Sequence, residues 1–232
     1  MSKPYTDTEF SAQITDDRSW RLKEISDLKT AASRADPNLQ RVLLRALITI
    51  CYAHWEGYVR FAARKYIEHV ALRKFQFKDI DRQFLRNYFL PRVAAFATSK
   101  TSLAQRCALV DEVLDASDRR FARVNEDLVN TKANLSFDVF ADICLICSVP
   151  TDAFAAKATF IDVLLLKRRN AIAHGEDPFV RVGDIDELTG ETVALMRLFG
   201  DSLENHVYLK DYKSAQIPVD PFASVLLGGL PK

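Results

Sequence analysis

The sequence predicts an all-α helical bundle. Apolar residues recur every three or four positions over long stretches, only 7 glycines and 8 prolines interrupt 232 residues, and 48% of the chain is hydrophobic, enough for a sizeable core. A single domain spanning 1–232 is expected, with residues 73–133 as a helical insertion and residues 210–232 as an irregular tail.

The first helix lies within residues 1 to about 36, where Trp20, Leu22, Ile25 and Leu28 are set among charges and Asp36-Pro37-Asn38 closes the run. A long second helix follows from about Leu39 to Leu72. One apolar stripe on it runs through Leu44, Ile48, Cys51, Trp55, Val59, Ala62 and Tyr66, and an adjoining stripe of Leu47, Ile50, Tyr58 and Phe61 carries His54. His54 reads as a core or interface histidine, with a supporting role in a site as the alternative. Glu56, among apolar neighbours, either pairs with Arg60 one turn on or orients an arginine or histidine of the 168–174 cluster.

Residues 73–133 interleave Lys74, Lys78, Arg82, Arg86, Arg92, Lys100 and Arg106 with Phe75, Phe77, Phe84, Tyr88 and Phe89. Such a pattern can bind single-stranded RNA by phosphate contact and base stacking. Here Asp79, Asp81, Asp111, Glu112, Asp115 and Asp118 dilute the charge, so the aromatics are read as the inner face of a short helix. A further helix is expected from Asn134 to Cys147, with Leu135, Val139, Phe140, Ile143 and Leu145 apolar and Val149-Pro150 ending it. Asp184 looks like the N-cap of a last long helix through Leu188, Val193, Leu195, Met196, Leu198, Phe199 and Leu203, which tolerates Gly190 and Gly200 at some cost. In the tail, the apolar run from Phe222 to Leu227 is expected to dock on the body or on a partner.

Charge and motifs remove several function classes. A formal net charge of +1 argues against a general nucleic-acid coater and confines any nucleic-acid site to a local patch. No run of 18 apolar residues exists and the first residues lack the apolar core of a signal peptide, so a cytoplasmic protein without membrane contact is expected. Cys51 and Cys107 are isolated, and Cys144 and Cys147 sit in an apolar run without a second ligand pair, so core packing is the reading and neither a metal nor another cofactor is expected. Phosphate loops, His-Glu-x-x-His, Gly-x-Ser-x-Gly and repeats are absent from the sequence.

The densest chemistry lies in Leu164-Leu165-Leu166-Lys167-Arg168-Arg169-Asn170-Ala171-Ile172-Ala173-His174-Gly175, where the most apolar run meets a polar cluster. Thr159 with Asp162 reads as a capping pair and Gly175 with Pro178 as a stop, which predicts a helix from about Thr159 to about His174. At about 100° per residue, Ile161, Leu165 and Ile172 share one stripe and Val163, Leu166 and Asn170 another. An apolar surface that wide is expected to be buried on more than one side, against its own bundle and a second subunit. Asn170 and His174 stack one turn apart, and His174 in the last turn, at the negative end of the helix dipole, suits proton transfer near neutral pH.

Arg169-Asn170-Ala171-Ile172-Ala173-His174 resembles the signature of the HEPN superfamily, an arginine, usually a polar residue next, and a histidine after four to six intervening positions. Gly175-Glu176 follows it, as in many HEPN proteins, and the segments Tyr52-Ala53-His54-Trp55-Glu56-Gly57-Tyr58-Val59 and Asn134-Leu135-Ser136 are similar to a narrower, MAE-like group within that superfamily. The resemblance spans roughly residues 40 to 200 and implies a HEPN-like bundle and a metal-independent RNA endonuclease acting through a homodimer. It also suggests a toxin or anti-phage role, with a neutralising antitoxin or defence-system partner. On that reading Arg169, Asn170 and His174 are catalytic: His174 transfers the proton, Arg169 clamps the phosphate and Asn170 positions one of them. Glu56, Arg168 and His54 are supporting candidates, Arg168 as a structural or substrate-contact arginine. Two other readings stand beside it: a non-catalytic HEPN module that binds RNA or protein, and a helical interaction protein whose cluster is an ordinary capped helix end.

Overall fold

The computed structural model describes residues 5–98, 101–132, 134–176 and 180–214; among them the chain is helical, and its extended pairing is limited to the isolated bridges Gln76–Arg120 and Ile80–Lys213. Helix α1 spans Asp7–Arg34 and opens with a capping box in which Thr6 accepts from the Glu9 amide at 3.1 Å and Glu9 accepts from the Thr6 amide at 2.6 Å. Helix α2 spans Pro37–Leu72. Asp36 caps it, accepting from the Asn38 and Leu39 amides, and Pro37 stands in the first turn, where a missing N–H leaves no carbonyl unpaired.

Helix α2 is the centre of the molecule. Leu44, Ile48, Cys51, Trp55, Val59, Ala62 and Tyr66 are buried as their spacing predicts, and α1 returns antiparallel along them, with Gln40 bonded to the Ala32 carbonyl at one end and Tyr5 to the Lys65 carbonyl at the other. Helix α8, Ile185–Leu209, completes a three-helix core. Its antiparallel register on α1 is marked by Ser11–Glu204, Arg18–Asp201 and Lys29–Asp186. Asp184 occupies the position before α8 but makes no cap bond with its side chain; its carboxylate lies 3.4 Å from Arg181 instead. Trp20, expected to help bury α1, is 49% exposed and lies edge-on over His54.

Between α2 and the signature region the chain forms a 3-10 turn at Phe77–Asp79, helix α3 at Arg82–Thr98 and helix α4 at Leu103–Leu114, so two helices stand where one short helix is expected. Phe77, Phe84 and Phe89 are buried, which agrees with the inner-face reading of the aromatics, while Tyr88 stays 37% exposed. Helix α5, Phe137–Ile146, begins three residues later than expected, because Ser136 rather than Asn134 supplies the cap, accepting from the Val139 amide. Phe140 of α5 joins the main core, its ring 5.1 Å from Trp55, 4.9 Å from Phe154 of the short helix α6 (Asp152–Ala155) and 5.4 Å from Phe199.

The signature helix departs from the expected continuous α-helix. Residues Phe160–Lys167 form a π-helical segment, and Arg168–Ala173, helix α7, returns to α geometry. The Thr159–Asp162 capping pair is not formed; the Asp162 carboxylate accepts from the Phe137 amide at 2.7 Å and so holds the first turn of α5. A wider turn also rearranges the stripes. Ile161 and Leu165 are fully buried, Leu164, Leu166 and Ile172 pack half-buried against the core, and Val163 is 45% exposed. Pro178 and the run from Phe222 to Leu227 lie outside the described residues. Cys51, Cys144 and Cys147 are buried, in line with the packing reading, and Cys107 is exposed.

Two contacts set the spacing of this core. Gly200 of α8 passes so close to α2 that a Cβ there would run into the hydroxyl of Tyr58, which is fully buried. Gly200→Ala should therefore lose about 1–3 kcal/mol to overpacking, more than the about 1 kcal/mol that alanine gains in a helix; a lower urea midpoint at unchanged slope is the expected result. The second contact is the Tyr52 hydroxyl, which accepts from the Leu135 amide at 2.6 Å, both residues being buried. Tyr52→Phe leaves that amide buried without its acceptor and should cost about 1–3 kcal/mol, measured in the same unfolding experiment.

Candidate active site

Helix α7 ends on the residue that matters most to the sequence reading. The Gly175 amide bonds to the Ile172 carbonyl and the Glu176 amide to the Ala171 carbonyl, with Gly175 at φ +81°, the paired bonds of a Schellman stop. Glycine is required there because a side chain at that φ is strained. The reversal leaves His174 exposed at the carbonyl end of the helix, its amide bonded to the Asn170 carbonyl at 3.0 Å. Asn170 is half-buried one turn before it on α7.

Arg169 turns the other way, toward α2. Its guanidinium carbon lies 4.1 Å from the centre of the Tyr52 ring, and one terminal nitrogen lies 3.8 Å from a Glu56 carboxylate oxygen. Tyr52 and Glu56 are one turn apart on α2, so they form a single seat: an aromatic face under the cation and a carboxylate beside it. The arginine side chain is 21% exposed and Glu56 17%, which places the pair where charge interactions are stronger than at an open surface.

Each wall of the seat is itself fastened to the stretch before α5. Thr131 donates to the other Glu56 oxygen at 2.6 Å, and Leu135 donates its amide to Tyr52. Burial raises the Tyr52 phenol above its ordinary range, with the Leu135 amide pulling it back and the Glu56 charge adding to the rise, so the ring keeps its hydroxyl proton and presents a neutral face to the arginine. Of the two readings of Glu56, the structure supports contact with the 168–174 cluster: its oxygens go to Thr131 and Arg169, while Arg60 is exposed.

The other supporting candidates fall differently. Arg168 is half-buried at the junction between the π-helical segment and α7, its amide bonded to the Leu165 carbonyl, next to but not in the seat. His54 is on the far side of α2, 5% exposed, with Nε2 2.9 Å from Glu24 of α1; burial lowers its affinity for a proton, opposed by the Glu24 charge. The structure thus gives His54 a packing role between α1 and α2 and does not bring it to Arg169. Tyr52 and Thr131 were not read as site residues. Tyr52 was legible in principle, being four positions before Glu56, whereas nothing in the sequence links Thr131 to a helix 38 residues away. Among the described residues, no group of three or more histidine, cysteine or acidic side chains is placed to hold a metal ion, and no helix is long and apolar enough to cross a membrane.

This arrangement can do two things chemically: hold a guanidinium in a fixed place and offer an imidazole to solvent a turn away on the same short helix. Searches of curated proteins and of solved structures gave no match. The chain does match the RiboL-PSP-HEPN family over residues 16–205, a span that takes in α2, the Thr131–Leu135 stretch and the signature helix; it is this family, rather than the narrower MAE-like group, that the match supports. A match over most of its length makes this chain, a helical bundle in its described residues, a member of the HEPN superfamily, of the RiboL-PSP-HEPN family.

Proposed function

We propose that this chain is a metal-independent RNA endonuclease whose site is composed from two subunits, and that it serves as a toxin or anti-phage effector. The observation that carries the reading is the pairing of a seated Arg169 with an exposed His174 on one helix end. RNA supplies its own nucleophile, so the protein needs only to assist the 2′-hydroxyl, protonate the leaving 5′-oxygen and hold the charge that develops on the phosphate. His174 acts as the general acid, Arg169 holds the phosphate and Asn170 positions one of them. Tyr52 and Glu56 set the direction of Arg169, and Thr131 sets Glu56.

The same geometry supports the two-subunit composition. Arg169 faces inward to α2 and His174 faces outward, so within one chain they address different sides of α7. Across a two-fold axis the arginine of one subunit can hold the phosphate that the histidine of the other protonates. Val163, 45% exposed, and half-buried Leu166 supply the apolar surface for such a contact. Two facing cationic clusters repel each other, and a phosphate between them relieves the repulsion.

Purified protein incubated with cellular RNA tests the chemistry. His174→Ala and Arg169→Ala should each lower cleavage at least about a hundredfold, with Arg169→Lys retaining the seat's charge but not the two-pronged grip. Products should end in 2′,3′-cyclic phosphate or 3′-phosphate, cleavage should survive EDTA, and RNA with a 2′-deoxy residue at the cut should resist. Wild-type activity in folded His174→Ala rejects the assignment, and RNA binding without cleavage identifies a non-catalytic module instead. For the shared site, mixing Arg169→Ala with His174→Ala subunits should restore part of the activity; a strictly monomeric protein that still cuts RNA rejects it.

A further inference from the structure

Helix α4 is held to the body by few side chains. Of its twelve residues Leu109 is the buried one, packed with Phe89 and Ala116, and Glu112 is gripped by Arg92 at 2.6 Å and by Arg119 at 2.5 Å. A helix of three turns is marginal in water without an amphipathic face to bury. The apolar face of α4 points outward: Leu103 is 77% exposed, Val110 57% and Leu114 73%, with exposed Cys107 between them. Their spacing of four, three and four residues is that of a coiled-coil seam, and at about 100° per residue all four lie within about 60° of arc.

We propose that this seam is a contact between two copies of the chain, the two α4 helices lying parallel across a two-fold axis. The charges beside the seam favour a second copy over an unrelated partner. Arg106 and Asp111 are both exposed, flank the seam on opposite sides and stand five residues apart. In a parallel pair each such residue faces the one five positions on in the other helix, so Arg106 meets the partner's Asp111 twice over. An antiparallel pair puts them on opposite sides of the seam. In the parallel arrangement Cys107 also faces the partner's Cys107. A three-turn seam is smaller than a standard interface of about 800 Å² per partner, so the pairing is concentration-dependent. It uses a different helix from the composite active site and stands or falls separately from it.

Cys107 makes the pairing measurable, because Cys51, Cys144 and Cys147 are buried and burial pushes the Cys51 and Cys144 thiols up to about 12. The full chain is examined by sedimentation over a concentration series and by a short bis-maleimide crosslinker. Mass should rise with concentration and a covalent dimer should form, its link lost in Cys107→Ser although association persists. Leu114→Glu should weaken association at least tenfold with the melting temperature kept. Asp111→Arg should weaken it too, and adding Arg106→Asp to that variant should restore it. The proposal is overturned if Leu114→Glu leaves the mass unchanged, since any dimer is then made elsewhere. It is also overturned if the double charge reversal fails to restore association, or if the crosslink forms only after residues 215–232 are removed, which would make the tail the seam's occupant.

Discussion

The site depends on one problem of burial. Arg169 carries a charge that cannot be neutralised by losing its proton, and it sits only 21% exposed against the central helix of a bundle. A cation in that place must be met, and the Tyr52 ring and the Glu56 carboxylate both meet it. Tyr52 is fixed by the Leu135 amide and Glu56 by the Thr131 hydroxyl, so the stretch before α5 orients the arginine without touching it in either of these contacts.

Helix α2 serves the core and the site together. The same 36-residue helix buries its apolar stripe against α1, α5 and α8 and presents Tyr52 and Glu56 to α7 on an adjoining face. Packing against Gly200 brings α8 close on the opposite flank, and the Phe140 cluster locks α5, hence its preceding stretch, to the same axis. Rigidity of the core is thereby passed to the guanidinium through two hydrogen bonds.

The π-helical segment before α7 has a local and a global effect. It places Phe160, Ile161 and Leu165 in the core, and it runs directly into the six-residue α7. Departures from α geometry of this kind cost stability in a helix and are frequent at functional sites. Asp162, released from the capping role its sequence position suggests, spends its carboxylate on α5.

Much was decided by local chemistry that a sequence carries openly. The 3.6-residue spacing of apolar positions gives α2 and α8, Asp36-Pro37 marks a helix start, Gly175 marks a helix end because few residues accept its φ, and the Arg169–His174 spacing marks the cluster. Tertiary structure decided what depends on distant partners. Glu56 could turn to Arg60 or to Arg169, and only the packing of α7 on α2 with Thr131 beside it selects the second. His54 and Glu56 are two residues apart, about 200° around α2, and which of those faces meets α1 and which meets α7 is a property of the bundle. The π-helical turn was hidden for the same reason: Leu164, Leu165, Leu166 and Lys167 are good α-helix formers, and nothing in the local sequence asks for a wider turn.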